Sequence, residues 1–204
     1  MTFYERRILP KLIHCVCGLK PMMRQREKVI PDARGVVLEL GIGSGLNIPY
    51  YNPDRVDHLI GIDPTPNKKA LNKALTASVI SHDMIFDTAE LLPMEDNTID
   101  TVVTTYTFCT IPDLVAAIVE ARRVLRPNGQ LLFVEHGMAP DASVKKTQDR
   151  VNPFWKKIAG GCHLNRDIPN LLRDNGFIID NEESMYLPGW KPATWNVWGA
   201  AHIA

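Results

Sequence analysis

Three glycines at alternate positions, Gly41, Gly43 and Gly45, follow the apolar run Val36-Val37-Leu38-Glu39-Leu40. Glycine lets a chain turn tightly and lets its backbone approach a ligand closely. The pattern G-x-G-x-G differs from the dinucleotide pattern G-x-G-x-x-G, and no Gly-Lys-Ser/Thr follows, which excludes a nucleoside-triphosphate P-loop. A pyrophosphate profits from a longer cradle and a helix N-terminus. A nucleoside joined to an amino acid needs neither. Asp63 stands 18 residues past Gly45, before Pro64. A carboxylate at about that distance can accept hydrogen bonds from both ribose hydroxyls. The segment Asp87-Thr88-Ala89-Glu90 is placed to meet an adenine through backbone groups and an apolar side chain. Thr104 and Thr105 end a β-branched run where a ligand in a central crevice would lie. Taken singly, the glycines could be a tight turn, Asp63 a turn residue and the threonines ordinary strand residues. In this order and spacing they read as one binding site.

The elements that must position these groups follow from the hydrophobic pattern. Residues 3–30 read as one or two helices, ended by Ile30-Pro31-Asp32-Ala33-Arg34-Gly35. Val36–Leu40 is a continuous apolar run, as suits a parallel strand buried on both faces. Further strands are expected over Asp57–Asp63, Val79–Phe86, Ile99–Thr105 and Gln130–Glu135. Helices are expected over Asn67–Thr76 and from Pro112-Asp113 to Leu125, the latter stopped by Arg126-Pro127-Asn128-Gly129. Strands alternating with helices imply an α/β fold, a Rossmann-like doubly wound, mostly parallel sheet. Residues 137–165 hold no strand pattern and read as a helical insertion after the fifth strand, with Phe154–Ile158 on a helix. Ile168–Asn175 reads as a helix closed by Gly176, and Phe177–Glu182 and Trp195–Ile203 as late strands. The expected organisation is a single domain: a helical cap (1–34), a cofactor core (35–136), a lid (137–165) and a C-terminal helix with strands (166–204).

The 23 Lys+Arg balance 23 Asp+Glu, so the chain has no overall electrostatic reason to bind nucleic acid. With 45% hydrophobic and 23% charged residues the composition is globular, which argues against disorder. Cys15, Cys17, Cys109 and Cys162 form no C-x-x-C pair, so no structural zinc, disulfide ladder or other metal site is expected. Cys15 and Cys17 read as buried free thiols. The apolar stretch Ile8–Met23 is broken by Pro10, Lys11, His14, Lys20 and Pro21. It falls short of the roughly 20 apolar residues of a spanning helix. No export signal is visible, and a cytoplasmic chain is expected. Arg6, Arg7, Lys11 and Lys20 could still meet anionic head groups, so peripheral membrane contact stays open, as does the oligomeric state.

The motifs Glu39–Gly45, Gly61–Pro64, Asp87–Pro93, Ile99–Thr105 and Arg123–Gly129 occur in order across about 100 residues. In this the chain resembles the class I S-adenosylmethionine-dependent methyltransferases. The resemblance implies S-adenosyl-L-methionine as cofactor. It implies that Glu39 orients the methionine amino end through the loop, that Asp63 holds the ribose, and that Ala89 and Glu90 sit by the adenine. The full set of cofactor residues it implies is Glu39, Gly41, Ile42, Gly43, Gly45, Asn47, Asp63, Pro64, Thr88, Ala89, Glu90, Thr104 and Thr105. Ile42 departs from the cysteine or alanine of many members, at a position that presents its backbone.

Methyl transfer needs little beyond geometry, because the sulfonium already carries an activated methyl. An oxygen or carbon acceptor usually needs a base, whereas a thiol ionises with modest help. The strand ends point to Tyr106, Phe108, Trp155, His163 and Arg166 as acceptor-binding residues, and to Glu135 and His136 as catalytic ones. Glu135 as a loop brace, His136 as a hydrogen-bonding residue, and the tryptophans as core or lid are the plainer alternatives. Arg122–Gly129, Phe133–His136, Phe154-Trp155 and Gly161–Asp167 are similar to a narrower group, the alkyl-thiol methyltransferases of the methyltransferase-like group. Small bacterial phospholipid or quinone methyltransferases look alike over the same span. From that likeness Glu135, His136, Cys162, Leu164 and Arg166 carry over. The long N-terminal membrane anchor of the animal members has no counterpart here, so the chemistry is expected without membrane residence. A small, rather apolar thiol is the leading acceptor. A lipid amine or a quinone ring is the second reading, and a non-catalytic cofactor-binding module the third.

Overall fold

The computed structural model describes residues 9–204. The expectations about Arg6 and Arg7 lie outside the described residues. Among the described residues seven strands form one sheet in the order β3-β2-β1-β4-β5-β7-β6. They are β1 (Gly35–Leu40), β2 (Val56–Ile62), β3 (His82–Ile85), β4 (Ile99–Thr105), β5 (Leu125–His136), β6 (Phe177–Tyr186) and β7 (Trp195–Ile203). β1 to β5 run parallel, and β7 is antiparallel to both β5 and β6. The doubly wound, mostly parallel sheet is therefore present as expected.

The helices are α1 (Leu9–Cys17), α2 (Lys20–Val29), α3 (Lys68–Thr76), α4 (Leu114–Val124), α5 (Ala142–Ile158) and α6 (Ile168–Asp174). Local chemistry starts three of them. Side chains of Asn67, Asp113 and Asp167 accept hydrogen bonds from Ala70 N, Ala116 N and Asn170 N, each capping a helix start. α4 buries Leu114, Ala117, Ile118, Ala121 and Val124 at helical spacing.

Two apolar clusters cover the two faces of the sheet. One holds Leu38, Leu40, Val102, Phe133, α4 and α6, the other Val37, Val103, Leu132, Val134, Leu71 and Trp198. Successive strand residues alternate between these faces. That alternation decides which site residues can meet, because Glu39 shares the face of Val37 and Glu135 the face of Phe133.

Three strand expectations are corrected. β3 spans only His82–Ile85, and Val79 and Phe86 lie exposed outside it. β5 begins at Leu125 and not at Gln130, although α4 does stop at Val124, just before Arg126–Gly129. Leu125 already pairs with Ile99, and the ladder resumes at Thr101 with Gln130, so the four residues bulge out within the strand. β6 continues to Tyr186, because its polar half pairs with Trp195–Gly199 of β7.

Candidate active site

A cavity of about 550 Å³ opens beyond the carboxyl ends of β1, β2 and β4. Ligands of doubly wound folds bind at this edge. Its lining includes Glu39, Gly41, Ile42, Gly43, Asn47, Asp63, Pro64, Thr88, Ala89, Glu90, Thr105 and Tyr106. These are all expected residues, drawn from four separate loops.

The glycine loop is built as its sequence demands. Gly41 has φ +70°, and a Cβ there would run into the Thr107 side chain. Gly43 has φ +57° and no atom closer than 3.7 Å to a hypothetical Cβ. Its backbone is thus bared to the cavity. Asp63 Oδ2 accepts from Gly43 N at 3.0 Å, and Oδ1 from Thr65 N at 2.7 Å. Burial pushes its carboxyl up, opposed by those two N–H bonds.

Glu39 lies in a buried polar network. Its Oε2 accepts from Tyr51 Oη at 2.7 Å and its Oε1 from Asn47 Nδ2 at 2.9 Å. Asn47 Nδ2 also donates to Thr105 Oγ1, and Asn47 Oδ1 accepts from Arg26 Nη1 at 3.2 Å. Burial pushes the Glu39 carboxyl up to about 7, against the bonds from Tyr51 and Asn47 and the Arg26 charge. Arg26 is itself buried, stacks at 5.0 Å over the Tyr106 ring, and its Nε has no partner among the described residues. A buried guanidinium nitrogen left unpaired in a cavity wall is costly unless a ligand meets it.

The loop expected to meet an adenine is fixed from below. Arg123 donates to the carbonyls of Leu92 and Met94 and to Glu120 and Asp96, and Glu120 Oε2 accepts from Leu92 N. This explains the Arg123 motif as a brace for the segment after β3.

Several expected residues stand elsewhere. Gly45 packs on Ile48, Leu71 and Ala74, where only a hydrogen fits, so it serves the loop's packing and not the cavity. Thr104 points to the sheet face opposite Thr105 and donates to Glu135 Oε1 at 2.8 Å. Glu135 does not face the cavity. It is fully buried, and its Oε1 also accepts from Thr107 N and Phe108 N at 3.0 and 3.1 Å. It braces the turn that walls the cavity. Phe108 is core, and Arg166 donates to the carbonyls of Phe108 and Pro112. His163 N donates to Cys109 O at 2.8 Å. His136 Nε2 lies 3.0 Å from Cys162 Sγ, to which Trp155 Nε1 also donates at 3.4 Å. None of these expected residues lines the cavity. Tyr106 is the expected acceptor residue that reaches it. Cys15 is exposed, which corrects the expectation that both thiols are buried, whereas Cys17 is partly buried against the apolar cluster of Val37 and Trp198.

Residues beyond the expected set also line the cavity. They include Arg26, Leu9, Ile13, His14, Cys17 and Gly160. They come from α1, α2 and the end of α5, far from the glycine loop in sequence. His14 Nδ1 lies 2.7 Å from Ser44 Oγ, so α1 closes directly onto the loop.

The comparisons agree with this geometry. Residues 38–133 match the methyltransferase domain family. The chain is 32% identical over 183 residues to human thiol S-methyltransferase TMT1B, covering 85% of this chain and 74% of that protein. The rat protein of the same name is 35% identical over 148 residues, 68% of this chain and 60% of that one. A solved S-adenosylmethionine-dependent methyltransferase of Methanosarcina mazei superposes with a TM-score of 0.64 at 20% identity, covering 91% of this chain and 98% of that one. Family motifs, sheet order and cavity lining converge: the chain belongs to the S-adenosyl-L-methionine-dependent methyltransferase family.

Proposed function

We propose that the protein transfers the methyl group of S-adenosyl-L-methionine to the sulfur of a small, weakly charged thiol. The observation that carries this reading is the likeness to thiol S-methyltransferases across 85% of the chain. The cavity supports it. Its lining includes Leu9, Pro10, Ile13, Ile111 and Pro112, apolar groups suited to an alkyl chain.

The residues present fit the cofactor. Its methionine end is a zwitterion, and the cavity offers Arg26, with its unpaired Nε, to the carboxylate and Glu39 to the ammonium. Asp63 takes the ribose hydroxyls, and the bared backbone at Gly43 admits close approach. Thr88, Ala89 and Glu90 border the base. When bound, the cofactor supplies a methyl group on a positively charged sulfur. The chain's own work is orientation and exclusion of water by α1. His14, which lines the cavity with its Nδ1 2.7 Å from Ser44 Oγ, is the side chain we assign to receive the thiol proton. With Glu135 committed to the turn, no catalytic role is assigned to it. Steady-state methylation of a panel of thiols, amines and quinols tests the reading. Turnover is expected with alkyl thiols, and turnover confined to amines or quinols would overturn it.

Glu39 gives a pH prediction. Its carboxyl is raised from an ordinary 4.5 to about 7. Its contribution to stability is therefore fully present below pH 4.5 and is lost as pH rises through about 7. An arriving ammonium favours the ionised form. Cofactor binding below pH 7 should release a proton, and affinity should fall as pH drops. Calorimetry in buffers of differing ionisation enthalpy should show this release, and Glu39→Gln should abolish it. Equal heats in all buffers would contradict the assignment.

A peripheral membrane contact is part of the same reading. Leu12, Val16 and Leu19 are 46–52% exposed on and just after α1, beside Lys11 and Lys20. No helix among the described residues is long and apolar enough to cross a membrane. Apolar groups flanked by lysines suit an anionic surface. Flotation with anionic vesicles should carry the protein, and Leu12→Glu with Val16→Glu should release it.

A further inference from the structure

The fold brings together three soft ligands that sequence spacing keeps apart. Cys109 lies in the turn after β4, His136 ends β5, and Cys162 follows α5. Their sulfur and ring-nitrogen ligand atoms lie within 4.8 Å of one another. Both cysteines are buried and His136 is half-buried. Backbone bonds hold the ligand-bearing loops in place. His163 N donates to Cys109 O at 2.8 Å, and Cys162 N to Ala159 O at 3.2 Å.

Tetrahedral zinc at its usual bond lengths holds two sulfurs about 3.8 Å apart, and a sulfur and a nitrogen about 3.5 Å apart. His136 Nε2 and Cys162 Sγ already stand 3.0 Å apart and all three ligand atoms lie within 4.8 Å, so shifts on the order of 1 Å would bring them to such an ion. Two thiolates and a neutral imidazole would balance a dication, and this donor set selects borderline-soft metals over calcium or magnesium. Trp155, bonded to Cys162 Sγ, already supplies an outer-layer donor.

We propose that Cys109, His136 and Cys162 form a binding site for one zinc-class divalent cation, with these three side chains as its protein ligands. The ion would tie the turn after β4, the end of β5 and the loop after α5 into one unit. Thr107, Thr110 and Gly160 from the first and last of these segments line the cavity. The site would therefore fix the cavity wall from behind. The lack of C-x-x-C spacing argued against zinc, but folding supplies the proximity that local spacing does not. This inference does not rest on the thiol-acceptor reading.

Cobalt(II) titration of the reduced, chelator-treated protein tests it. One equivalent per chain should give a thiolate-to-cobalt absorption band, displaced by zinc. The band should vanish in Cys109→Ser/Cys162→Ser and persist in Cys15→Ser. Should the double variant fail to fold, the wild type still decides. Zinc should protect Cys109 and Cys162 from alkylation, read by peptide mass spectrometry, and leave Cys15 reactive. Absence of the band in folded wild type, or identical alkylation with and without zinc, would overturn the proposal.

Discussion

Replacing Asp63 with alanine is expected to weaken S-adenosyl-L-methionine binding at least about tenfold, equivalent to about 1.4 kcal/mol. The reasoning starts from the carboxylate's own bonds. Gly43 N and Thr65 N each occupy one lone-pair direction of its oxygens, at 3.0 and 2.7 Å. They fix its orientation and leave room for two further donors. Hydroxyls donating to an ionised, partly desolvated carboxylate form charge-assisted bonds, roughly twice as strong as neutral ones. Asp63→Asn keeps an acceptor and the shape but loses the charge, so an intermediate loss is expected. Calorimetry on the folded variants measures both, and an unchanged dissociation constant for Asp63→Ala would remove Asp63 from the ribose site.

The second large effect concerns stability. Glu135→Ala removes an acceptor from Thr104 Oγ1, Thr107 N and Phe108 N, all satisfied by one buried oxygen. Each unsatisfied buried donor costs about 1–3 kcal/mol, so a total loss of about 3 kcal/mol is expected after relaxation. For a chain of this size that lowers the melting temperature by on the order of 10 °C. Glu135→Gln retains an acceptor oxygen and should recover most of the stability. Its methyl-transfer rate should stay within a few-fold of the wild type. A general base would behave in the opposite way: Glu135→Gln would fold normally and lose about 10²-fold or more in rate. Thermal denaturation and turnover measured on the same preparations separate the two roles.

These two residues also mark what a sequence can and cannot reveal. Asp63 is legible because strand, loop and acid follow one another within a single local pattern. Glu135 was equally visible as an acid at a strand end. Its bracing role stood beside a catalytic one, and only the alternation of strand faces, which turns it toward Thr104 and away from the cavity, decides between them. The same alternation separates Thr104 from Thr105, although the two are adjacent in sequence. Arg26 left no signal at all. It arrives from α2 and meets Asn47 and Tyr106 only in the folded chain. A lone basic residue near the end of a helix looks like a solvated one. Cys109 and Cys162 were invisible as a pair for the same reason. The core of the fold was readable where burial on both faces enforces continuous apolar runs, as in β1 and β4. It was less readable at β3 and β6, edge strands whose residues are largely polar or exposed.

The most direct test of a thiol-directed methyltransferase is a transfer experiment with trideuteriomethyl-labelled S-adenosyl-L-methionine, the folded protein and an alkyl thiol. Mass spectrometry should find the label on sulfur, as the methyl thioether, in step with loss of the labelled cofactor. Label appearing on an amine or a quinol from the same mixture, with none on the thiol, would contradict the assignment.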